Sequence, residues 1–108
     1  MAHALDSRLT ARLREVLARE TLTETELREL SEQADGWART LQAQIHAGER
    51  RLARLTADPE SRITQIAEEL RRVETLRPEL EHVREILDEL DTRARELRTA
   101  WLRAALNR

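Results

Sequence analysis

The chain has 108 residues, 37% of them charged, with 19 basic against 21 acidic side chains and a formal net charge of −2. That length is one domain's worth. The near absence of aromatic residues, and only two Gly and two Pro, argue against a sheet and for helix throughout. The lack of cysteine excludes disulfides and Cys-ligated zinc. All the basic residues are Arg, which reads as coding bias, though the guanidinium fork also suits carboxylate pairs between helices.

In chain order, the first predicted helix covers about residues 2–20 and sets Leu5, Leu9, Leu13, Val16 and Leu17 on one face. Thr23 and Glu26 have capping-box spacing and predict a new start there, opening a helix over about 23–56. No Gly or Pro forces the break, so one helix from about 4 to 56 stays open as the second choice. The apolar stripe of this segment runs Leu27, Leu30, Ala34, Trp37, Leu41, Ile45, Gly48, Leu52 and Leu55. Its two successive four-residue steps around Leu41 form a stutter that relaxes a supercoil.

Asp58-Pro59-Glu60 reads as an N-cap, a first-turn proline and a carboxylate at the positive end of a helix dipole. The last predicted helix therefore covers about 59–107, with Ile63, Ile66, Leu70, Val73, Leu76, Leu80, Val83, Leu87, Leu90, Ala94, Leu97, Trp101 and Ala104 at three- and four-residue steps. Pro78 removes one intrahelical donor and predicts a kink or a split there.

Folding the chain about Asp58 sets Leu52 opposite Ile63 and Trp37 opposite Arg77-Pro78. The predicted fold class is all-α: an antiparallel helical hairpin or coiled coil. Two thin limbs bury too little to offset the entropy of ordering them. Either the first segment folds back as a short third helix, or a second chain completes a four-helix or larger bundle, and the homodimer is preferred.

Charge is banded. Residues 20–35 and 79–91 are strongly acidic, and Arg93, Arg95, Arg98, Arg103 and Arg108 make the C-terminal end basic. Such a pattern disfavours a parallel, in-register dimer and suits an offset antiparallel copy or an Arg-rich partner. Arg50, Arg51, Arg54, Arg71 and Arg72 are the residues a nucleic acid would meet, but the net charge is negative and stacking aromatics are scarce, so no nucleic-acid partner is expected.

Glu79 and His82 have the Glu-x-x-His spacing of di-iron bundles, and folding about Asp58 sets Glu32 opposite His82 and Glu68 opposite His46. Those centres use two such motifs plus two more inward Glu, and the sequence has one motif, so neither a metal nor another cofactor is expected. Gly-rich phosphate loops and nucleophile triads are also missing, and no catalytic residue is assigned.

Seven apolar residues are the candidates for a partner interface. Leu17, Leu22, Ile86, Leu102 and Leu106 lie off the main stripe, and Trp37 and Trp101 are the residue type enriched at hot spots, although both also fit the seam. The sequence thus predicts a non-enzymatic protein–protein interaction module, an adaptor, chaperone-like protein or scaffold subunit. A carboxylate/histidine metal-binding bundle is the alternative. With no leader-like apolar run and no apolar stretch of spanning length, a cytoplasmic location and no membrane partner are expected.

Overall fold

In the computed structural model the described residues are 11, 12, 14, 15 and 23–107. They are all-helical apart from turns, with two long helices, α1 (Glu24–Ala57) and α2 (Ile63–Leu106). Ala11, Arg12, Arg14 and Glu15 are helical and exposed. The predicted first helix otherwise falls outside the described residues, as do Leu17 and Leu22.

α1 starts where its local chemistry says it should. The Thr23 hydroxyl accepts from the Glu26 N–H at 3.1 Å, and the Thr23 carbonyl accepts from the Leu27 N–H at 3.1 Å. Glu24 and Glu26 then put negative charge in the first turn, where the helix dipole is positive. Threonines inside the helices are satisfied locally: the hydroxyls of Thr40, Thr75, Thr92 and Thr99 each donate to the carbonyl one turn back.

The connection corrects one expectation. Asp58 does not cap the return helix. Its Oδ1 accepts from the Glu60 N–H at 2.9 Å, and its carbonyl accepts from the Ser61 N–H at 3.2 Å. Asp-Pro is as favourable at the first two positions of a β-turn as at a helix start, and here the turn takes it. The cap of α2 is Arg62, whose carbonyl accepts from the Gln65 and Ile66 N–H groups, while Gln65 Oε1 accepts from the Arg62 N–H at 3.2 Å. That is the returning half of a capping box. α2 then continues through Pro78 as one helix rather than splitting there. Pro78 and Glu74 are both exposed, so water can hydrate the Glu74 carbonyl that the missing N–H leaves without a donor.

Contacts divide the described residues into two compact units, residues 36–84 and the described residues up to 35 together with those from 85 on. The first unit is a helical hairpin with Leu41, Ile45, Val73, Leu80 and Val83 buried. Gly48 is buried where the helices approach closely, because a Cβ built on it would lie 2.5 Å from Val73 Cγ2. Arg51 pairs with Glu69 at 3.9 Å and Arg77 with Glu49 at 3.6 Å.

These contacts overturn the predicted register. Folding about Asp58 would have set Gly48 opposite Ile66-Ala67, whereas it faces Val73. The turn takes up the residues between Ala57 and Ile63, and the pairing slides by about two helical turns. Leu52 is accordingly half-buried while Ile63 is 84% exposed, Leu70 is also exposed, and the inferred Trp37–Pro78 neighbourhood falls with the same arithmetic.

In the second unit Leu27, Leu30, Ala34, Ile86 and Leu90 are buried. Ile86, an expected partner-interface residue, is corrected to core at 6% exposure. The stripe of α2 steps from Val83 to Ile86 and then to Leu90, so Leu87, expected on the seam, turns away and is half-buried. A three-residue step and a four-residue step stray similarly from the helical repeat, so both phases were open to this sequence.

Candidate functional site: an apolar and banded-charge face of α2

The last turns of α2 carry the clearest candidate surface. Burial fades along the stripe: Leu90 is fully buried, Ala94 and Leu97 are half-buried, and Trp101 is 74% exposed. Leu102 and Leu106 are exposed as well. Trp101, a partner-interface candidate that also fits the seam, does not pack there: α1 begins at Glu24, and Leu27 is the first of its apolar residues to be buried. Trp37, the other tryptophan, is half-buried in its own unit.

Beside the core formed by Leu27, Leu30, Ala34, Ile86 and Leu90 lies a groove of about 430 Å³. Leu27 and Ser31 of α1 line one wall, and Leu87, Asp91, Ala94 and Arg98 of α2 line the other, with Glu24, Arg28 and Asp35 also at its edge. Leu87 reaches this groove through the same phase change that buries Ile86. Asp91 Oδ2 holds Arg95 at 2.8 Å, one turn along α2. The chemistry offered is an apolar floor rimmed by both signs of charge, which suits a helix or an apolar anchor flanked by charges.

Other sequence candidates are less gathered. Among the described residues no group of three or more His, Asp or Glu side chains is placed to hold a metal ion. His46 Nδ1 lies 3.8 Å from Glu49, and His82 Nε2 is shielded from solvent without a hydrogen-bond partner. Arg51 of the expected basic cluster pairs with Glu69. No helix among the described residues is long and apolar enough to cross a membrane. Sequence reasoning missed the groove altogether. The spacing Leu87, Asp91, Ala94, Arg98, Trp101 was its available signal, hidden because two of the five positions are charged.

No protein-family model matches the chain, and neither a curated protein nor a solved structure is significantly similar to it.

Proposed function

We propose that this protein is a non-enzymatic protein–protein interaction module, an adaptor, chaperone-like or scaffold subunit that works through its long amphipathic helices and self-associates in the cytoplasm. One observation carries the reading: Trp101, Leu102 and Leu106 stand exposed on the last turns of a well-formed helix. A tryptophan and two leucines in water are a standing cost that contact with a partner removes. The groove beside them adds a second apolar surface within the same unit.

The test is capture of partners from the native host with the wild-type chain and with a Trp101→Ala/Leu102→Ala/Leu106→Ala variant of equal helicity. The wild type should retain a specific protein or a second copy of itself, and the variant should lose it. Equal capture by both chains counts against the reading.

The metal-binding alternative has the unpartnered His82 Nε2 in its favour. Stoichiometric iron, manganese or zinc in protein purified without chelator, lost on His82→Ala, would support it.

A further inference from the structure

We infer that α2 is the dimer surface, and that a second copy of this chain lies antiparallel on it along Leu87, Asp91, Ala94, Arg98, Trp101 and Leu102. The inference rests on the interaction-module reading and names its partner and surface.

The first four of these residues line the groove, and Trp101 and Leu102 continue the same face as exposed side chains. At 100° per residue all six fall within an arc of roughly 100°. The face is self-complementary. Asp91 and Arg98 lie equally far on either side of the point between Ala94 and Arg95, and so do Leu87 and Leu102. A two-fold axis through that point sets each Arg98 on the other copy's Asp91 and each Leu102 on the other copy's Leu87. Every contact then occurs twice, as an isologous interface requires. The small Ala94 at the axis lets the backbones come close. Arg95 holds one oxygen of Asp91, and a carboxylate has a second oxygen for an incoming guanidinium.

Charge selects this occupant over the chain's own beginning. Residues 2–19 carry more Arg than acid, the same sign as the Arg-rich end that bears Trp101. A second copy run antiparallel brings the Asp88–Asp91 region to that end instead.

The test is sedimentation of the full-length chain at micromolar concentration, in low and high salt. The wild type should be dimeric, and high salt should weaken it. Asp91→Arg and Arg98→Asp, each alone, juxtapose like charges twice per dimer and should weaken association by about tenfold or more. Mixing the two variants should restore dimers, and so should Asp91→Arg/Arg98→Asp in one chain. Helicity should be unchanged in all of them.

Variants that dimerise alone as well as the wild type, or mixtures that stay monomeric, overturn the surface. A monomeric wild type overturns the dimer, and if its unfolding midpoint falls on Trp101→Ala, the chain's own first residues cover that face. A monomeric wild type also removes self-association from the proposed function, whereas binding of a different protein stands or falls on the capture experiment.

Discussion

Val73 and Trp101 are both stripe positions of α2, and they end at opposite extremes: Val73 is 1% exposed and Trp101 is 74% exposed. Val73 has a helix against it, drawn in so closely that Gly48 has no room for a Cβ. Trp101 belongs to a turn with no described helix residue of α1 left to cover it. A heptad pattern writes an apolar stripe on a helix. What fills the space opposite depends on register and on where the facing helix begins.

The largest effects should come from the buried end of this comparison. Leu90→Ala, fully buried in one unit, and Leu41→Ala, buried in the other, should each cost about 2–5 kcal/mol in chemical denaturation. A loss below about 1 kcal/mol at either position would mean that the core is loosely packed.

The two glycines give the next contrast. Ala is favoured over Gly in a helix by about 1 kcal/mol. Nothing lies within 4 Å of a Cβ at Gly36, so Gly36→Ala should raise stability by about that amount. At Gly48 the new methyl meets the Val73 side chain, whose β-branch is stiff in a helix. Overpacking should outweigh the propensity gain, and Gly48→Ala should lower stability by about 1–2 kcal/mol. Equal melting shifts for the two variants would show that the close approach at Gly48 is not obligatory. Thr23→Ala, which removes the cap from α1, should cost about 1 kcal/mol.

The start of α1 could be read from Thr23 and Glu26 because a capping box is local. The return of the chain could not be read as securely. Asp58-Pro59 suits a β-turn and a helix start alike, and the difference moved every pairing in the hairpin. Ile86 and Leu87 were a similar case, two adjacent apolar residues either of which could continue the stripe after Val83. Settling on Ile86 sent Leu87 to the groove wall, and with it went the one feature that joins Asp91, Ala94 and Arg98 to Trp101. Those residues are unremarkable singly, and only the realised phase of α2 makes them a face.

The smallest expected effect sharpens the comparison most. Trp101 is the largest side chain on α2, yet it touches little of its own unit, so Trp101→Ala should change the stability of dilute protein by no more than about 0.5 kcal/mol. Binding that covers the tryptophan adds stability by mass action, which grows with protein concentration. The melting temperature of the wild type should therefore rise with concentration, while that of Trp101→Ala should stay nearly flat. Parallel curves would mean that this side chain takes no part in association. A large loss already present at the lowest concentration would mean that the tryptophan works within the chain, and that its exposed position at the end of α2 is not its working one.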